Sequence, residues 1–323
     1  MKAVLYTQYG SPDVLQLKEV EKPTPKDNEV LVKVCAASVN AYDWRNMRAD
    51  PFLVRLMGGL FRPRNPRLGV DIAGRVEAVG RDITQFRPGD EVYSDLATSG
   101  NGAFAEYVAA PEHVLALKPA NLSFEQAAAV PMAAVTALQG LRDAGKIQPG
   151  HKVLINGASG GVGTFAVQIA KYFGAEVTAV CSTRNIDMVR SLGADHVIDY
   201  KRDDFTQNGQ RYDLIFAVNG YHSLSAYKRV LGPKGRYVMA GGSTAQLLEV
   251  LFLGAWMSMS GGKKMEAFSW TPNGKDLTVL KELLEAGKVV PVIDRCYPLS
   301  ETAEAIRYLE DAHARGKVVI TVT

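Results

Sequence analysis

Cysteine is scarce in this chain, and the three present, Cys35, Cys181 and Cys296, stand far apart without C-x-x-C or disulfide-framework spacing. That excludes a disulfide-stapled scaffold and suits a reducing compartment, expected here to be the cytoplasm. An excess of one charge is lacking too: 37 Lys and Arg face 34 Asp and Glu, for a formal net charge of +3. With no basic cluster, a nucleic-acid partner is not implied. The uncharged apolar run Val250 to Gly262 holds 13 residues, short of the ~20 that span a bilayer. The opening MKAVLYTQYG reads as a strand and has no apolar signal core, so no secretory signal is expected. Repeats and low-complexity runs are absent. The five histidines, His113, His151, His196, His222 and His313, are isolated from one another and from every cysteine, which removes the spacing that zinc sites require.

What the chain does have is a rhythm that changes near residue 120. Before it, short alternating segments, Glu29 to Ala36, Asp71 to Val79, Glu91 to Ser94 and Ala103 to Ala109, are separated by turns such as Arg87-Pro88-Gly89-Asp90, the pattern of a β-rich domain. After it, helical stretches (Gln126 to Ala144, Ile186 to Leu192, Ser223 to Val230) alternate with strands (Glu176 to Cys181, His196 to Asp199, Leu214 to Val218, Arg236 to Ala240). Alternation of that kind predicts an α/β fold with a doubly wound parallel sheet. A length of 323 residues exceeds what one core usually fills, so two domains are expected. A further helix is predicted over Asp276 to Glu285 and a closing strand over Lys317 to Val322.

The stretch Lys152 to Gly163, KVLINGASGGVG, runs an apolar strand into glycines and then a helical pattern. Glycine allows the tight turn, a backbone bare enough for phosphate oxygens, and close helix-on-strand packing. The helix start aims free N–H groups and a positive dipole end at an anion. Gly157, Ala158, Ser159, Gly160, Gly161, Val162 and Gly163 are thus the candidate pyrophosphate cradle. Ala158 stands where G-x-G-x-x-G has its first glycine, with Gly157 one residue early. The strand Glu176 to Cys181 completes the βαβ unit and is followed by Ser182-Thr183-Arg184-Asn185. No carboxylate stands there to hold a ribose 2′-hydroxyl, while Ser182 and Arg184 offer donors for a 2′-phosphate, so NADPH (NADP) is the cofactor expected. Asn219-Gly220 and Gly241-Gly242 follow predicted strands, at the carboxyl ends where doubly wound folds bind ligands; a turn role is the alternative for these glycines.

Across nearly its whole length the chain resembles the zinc-free quinone oxidoreductase branch of the medium-chain dehydrogenase/reductase superfamily. The resemblance rests on GVDIAGRVEAVG, FRPGDEVY, GAFAEYV, NGASGGVGTFAVQIAKYFGAEV, STRN and GKVVITV, in that order. It implies a GroES-like β-rich catalytic domain from residues 1–120 and the C-terminal return 288–323, with a Rossmann NADP-binding domain over 121–287. Zinc alcohol dehydrogenases of the superfamily carry Cys, His and Glu ligands; this chain has Asn40 in place of the cysteine and Val70-Asp71 in place of the His-Glu pair. No metal is therefore expected, and the activity implied is hydride transfer from NADPH to a quinone or to the conjugated C=C of an α,β-unsaturated carbonyl. An NADPH-binding redox sensor or structural protein with little turnover is the alternative. A short-chain dehydrogenase would need Tyr-x-x-x-Lys, which no tyrosine here has.

Without a metal, hydrogen-bond donors must stabilise charge on the substrate oxygen. Asn40 and Tyr42, in the segment after Glu29 to Ala36, are the candidates; turn capping by Asn40 and packing of Tyr42 are the alternatives. The resemblance adds Asn40 and Thr136 at the nicotinamide side, Tyr200 near the adenosine phosphate, and Lys317 provided that the tail strand folds as in the family. Phe52 to Phe61 and Val250 to Met259 are candidate walls of an apolar pocket; a core or dimer-interface helix is the alternative for the second, and a membrane-surface contact for the first. The resemblance also implies a homodimer or another homo-oligomer.

Overall fold

The computed structural model describes residues 1–52, 54–258, 262–311 and 314–322. Leu53 within Phe52 to Phe61, Met259 at the end of Val250 to Met259, and His313 lie outside the described residues. The chain divides into two compact units: residues 1–135, 272–287 and 291–323, and residues 136–271 with 288–290. Residues 121–135 and 272–287 thus group with the first unit, whereas the family resemblance implies boundaries at 120 and 287.

The first unit opens with β1 (Lys2–Leu5) paired antiparallel to β2 (Gln16–Glu19). Its centre is β3 (Glu29–Val39), flanked by β4 (Asp71–Val79), with β5 (Glu91–Asp95) on β4, β6 (Tyr107–Pro111) on the first half of β3, and β7 (Leu115–Leu117) on β5. Branched apolar residues make β3 a strand, and Val30, Val32, Val34 and Val39 enter a core shared with Ile72, Val92 and Phe104. The predicted Asp71 to Val79 matches β4. The predicted strand Ala103 to Ala109 begins only at Tyr107, because Ala103 and Phe104 donate to the carbonyls of Gly69 and Leu68 before the ladder starts.

The second unit is a Rossmann sheet. Its strands β8 (Lys152–Asn156), β9 (Glu176–Cys181), β10 (His196–Asp199), β11 (Tyr212–Ala217), β12 (Leu231–Met239) and β13 (Lys264–Ala267) lie in the order β10-β9-β8-β11-β12-β13, and every pair is parallel. The order reverses between β8 and β11, the switch point at which such sheets bind ligands. Residues 126–144, read as one helix, are broken: Pro131 lacks the N–H that would continue a helix, so Phe124–Ala128 stops and Pro131–Gln139 starts anew. The chain then returns to the first unit as β14 (Ile293–Pro298), parallel to β15 (Lys317–Thr321), and β15 pairs antiparallel with β3. Val318 faces Val39 in that register.

Candidate active site

In the second unit the cradle sits at the end of β8, where Gly157 takes φ +87° and its Cβ would lie 2.8 Å from the Asn219 amide nitrogen. A Cβ on Gly163 would run into the Gly157 carbonyl oxygen, whereas one on Gly160 would have no neighbour closer than 3.7 Å. The turn is therefore closed to side chains at Gly157 and Gly163, while Gly160 has room for a Cβ in ordinary contact. Gly157 and Ala158 donate to Val180 at 3.3 and 3.0 Å, which ties the cradle to β9, and Ala158 is fully buried. The helix Gly161–Tyr172 starts here. Gly161, Val162 and Gly163 form its first turn, whose amides have no intrahelical acceptor. Phe165, Ala166 and Ile169 bury the helix, and Gly174 at φ +76° ends it.

Most of the other expected residues of this unit lie just beyond the ends of its strands. Asn219 donates its amide to Asn156 at 3.2 Å, and Tyr200, largely exposed, donates its own to Cys181 at 3.1 Å. Ser182 is buried and Arg184 exposed just beyond β9. Gly241 follows β12, its amide bonded to Ala217 at 3.3 Å; Gly242 has φ +135°. Thr136 is buried in the helix Pro131–Gln139. Thr183, between Ser182 and Arg184, spends its hydroxyl on Asp199 at 2.5 Å. That bond first, then the Lys201 amide and the charges of Arg202 and Lys201, hold Asp199 below the usual carboxylate range. The sequence reading passed over this carboxylate because it arrives from β10 rather than from the loop after β9. It also missed Asn185, whose side-chain nitrogen donates to Ser159 at 3.0 Å and to Ser182 at 3.2 Å.

The first unit holds a buried polar cluster. Asp71 Oδ2 accepts from Ser38 Oγ at 2.8 Å, from Asn40 Nδ2 at 2.9 Å and from Lys317 Nζ at 3.3 Å, and Asp71 Oδ1 accepts from the Met132 amide at 2.9 Å. Lys317 Nζ also donates to Asn40 Oδ1. Ser38, Asp71 and Lys317 are 0, 0 and 3% exposed, so this is an ion pair removed from water and satisfied on every side. Sheet register creates it: Ser38 faces Asp71 across β3 and β4, and Val318 facing Val39 brings Lys317 alongside Asn40. Asn40 is not in a loop, for β3 runs to Val39 and the helix Ala41–Arg48 starts at once, with the Asp43 carboxylate accepting the Asn40 amide at 2.7 Å. Burial, with the Asp71 charge adding to it, pushes Asp43 up to about 8 against the pull of the Asn40 amide and Lys317. Tyr42, on the same helix, is half-buried; its hydroxyl donates to Ala97 at 3.4 Å, and burial followed by the charges of Asp43 and Asp95 keeps the phenol protonated to higher pH. Among the described residues no group of three or more His, Cys, Asp or Glu is placed to hold a metal ion.

Residues 26–120 match the alcohol dehydrogenase GroES-like domain family, and residues 192–320 match the zinc-binding dehydrogenase family. The chain is 39% identical to 2-methylene-furan-3-one reductase of Solanum lycopersicum, over 99% of this chain and 79% of that protein. It is 36% identical to the chloroplastic NADPH-dependent alkenal/one oxidoreductase of Arabidopsis thaliana, again over 99% and 79%. The chain belongs to the quinone oxidoreductase branch of the medium-chain dehydrogenase/reductase superfamily. Among solved structures of that superfamily, the quinone oxidoreductase from Coxiella burnetii superposes with a TM-score of 0.89 at 31% identity, covering 100% of this chain and 99% of that one. Membership supports a nicotinamide cofactor for the chain. The cradle fits one: Gly157 and Gly163 leave no room for a side chain, and the first-turn amides of the helix from Gly161 have no intrahelical acceptor and suit a phosphate.

Proposed function

We propose that this chain is an NADPH-dependent reductase of quinones and of the conjugated C=C of α,β-unsaturated carbonyls, working without zinc. The observation that carries the proposal is the donor set around the cradle, with Ser159 inside it and Ser182, Arg184 and Tyr200 beyond β9. Bound NADPH supplies a hydride; the chain supplies position and polarity. The amides of Gly161 to Gly163 hold the pyrophosphate, and Asn219, Gly241 and Gly242 line the carboxyl ends of neighbouring strands. Thr136 serves the nicotinamide side.

In the first unit Tyr42 is the donor to the developing oxyanion, since the contact of its hydroxyl with Ala97 O is long at 3.4 Å and readily exchanged for a substrate oxygen. Asn40 has one amide hydrogen on Asp71, while the other reaches Ser38 O only at 3.4 Å. That second hydrogen is the one available to a substrate or ribose oxygen. Lys317, a fixed cation beside Asn40, orients the amide and brings positive potential to the reacting end. The relatives' names support the acceptor class: one is a furanone reductase and one an alkenal/one oxidoreductase.

The proposal includes a cytoplasmic location and a homo-oligomer. Among the described residues no helix is long and apolar enough to cross a membrane. The helix Thr244–Ser258, which carries most of the apolar stretch, exposes Leu251, Phe252 and Trp256, a face suited to subunit contact; sedimentation velocity reads the assembly directly. Mixing the protein with NADPH and a panel of enals, enones and quinones, and following the absorbance of reduced cofactor, tests the activity. Steady consumption with at least one conjugated acceptor is expected. Tight NADPH binding with no acceptor consumed would instead identify a binding protein.

A further inference from the structure

Asn185 occupies a position that the cradle and the loop beyond β9 share. It is 3% exposed, and its backbone amide is held by Ser182 O at 2.9 Å. The two hydrogens of its side-chain nitrogen are divided between Ser159 Oγ, in the cradle, and Ser182 Oγ, beyond β9. A serine oxygen that accepts from an amide keeps its own O–H free to donate elsewhere. One buried amide therefore turns two hydroxyls into outward donors at once, and paired outward donors beside a glycine cradle suit an anion. Its Oδ1 is also buried and has no hydrogen-bond partner. An unmatched buried acceptor costs free energy, so the two bonds donated by its nitrogen are what hold the side chain in place.

We infer that Asn185 is a positioning residue that couples the pyrophosphate subsite at Ser159 to the 2′-phosphate subsite at Ser182, so that both are set by one side chain. The inference rests on the NADPH reading above. Thr183 has no part in it, because its hydroxyl is engaged by Asp199.

Fluorescence titration of the whole protein with NADPH and NADH, alongside thermal midpoints without cofactor, tests the coupling. Ser182→Ala is expected to weaken NADPH about tenfold and leave NADH unchanged, one hydrogen bond to an anion being lost. Asn185→Ala is expected to weaken NADPH about 100-fold and NADH about tenfold, because both subsites lose orientation. In the Asn185→Ala background, Ser182→Ala then adds less than about a twofold further loss. Retention of both affinities in Asn185→Ala, or a full tenfold loss from Ser182→Ala in that background, overturns the inference. If Asn185→Ala lowers the cofactor-free midpoint, the Ser159→Ala, Ser182→Ala double variant carries the test with the buried amide intact. Its NADPH loss is expected to match about 100-fold, and a loss no greater than the roughly tenfold of Ser182→Ala alone overturns the coupling. The wild-type titration separates this inference from its premise. No preference for NADPH over NADH removes the cofactor reading and the 2′-phosphate half of the inference together, whereas a preference that Asn185→Ala leaves intact removes the coupling alone.

Discussion

Lys317 and Asp71 form a buried ion pair in which each residue has further partners, Asn40 for the ammonium and Ser38, Asn40 and the Met132 amide for the carboxylate. Such a pair adds little net stability over an apolar substitute, but breaking it strands a charge. Lys317→Met is therefore expected to cost about 3–5 kcal/mol in urea unfolding; a loss below about 1 kcal/mol would show that Asp71 does not need the ammonium. Asp43 makes a second prediction, on pH. Its folded pKa, raised by burial to about 8 from an ordinary 3.8, means that the native state keeps a proton the unfolded chain has lost. The contribution to stability is thus fully present below the unfolded value and is lost as pH rises through about 8. The thermal midpoint should fall across that window in the wild type and fall less steeply in Asp43→Asn, where an amide oxygen can still accept the Asn40 N–H. Equal slopes in the two proteins would remove Asp43 as their source.

The elements differ in how much of them could be read from residue order. Asp71–Val79, Glu176–Cys181 and His196–Asp199 have the bounds that local pattern predicts, because β-branched residues lie between turn residues at both ends. The helix Ala41–Arg48, AYDWRNMR, has no such signature. Only Asp43 and Met47 are buried along it, and the Asp43 side chain capping Asn40 fixes its start. Edge strands β13 and β14 were equally hidden, being short and paired with partners whose choice depends on the whole sheet. The cradle was legible as a motif; the division of labour beside it was not, since Asp199 reaches Thr183 only when β10 lies next to β9. Arg184, in the short turn Thr183–Asn185 that follows β9, carries the prediction at this scale. Arg184→Ala should weaken NADPH by about 1–3 kcal/mol and leave NADH little changed, as befits one charge-assisted contact. Equal losses for both cofactors would remove Arg184 from the 2′-phosphate site.

At the scale of the molecule, the β-rich unit is assembled from residues far apart in sequence, and its polar cluster depends on that. Lys317 and Asp71 are 246 residues apart and meet because β15 joins the sheet beside β3. A local reading could name Asn40 as a candidate, and resemblance could add Lys317 and say that metal ligands are replaced, but the ion pair itself emerges only from the sheet register. The two units supply different things, a glycine cradle with donors in one and a fixed cation with amide and phenol donors in the other. Each set suits the proposed reduction of a conjugated system, in which hydride arrives at carbon while charge gathers on a distant oxygen. The most direct test supplies the protein with NADPH carrying deuterium at both C4 positions and an α,β-unsaturated ketone, and locates the label in the product by mass spectrometry and NMR. The account predicts a saturated ketone with one deuterium on the β-carbon. An allylic alcohol with deuterium on the former carbonyl carbon would contradict it.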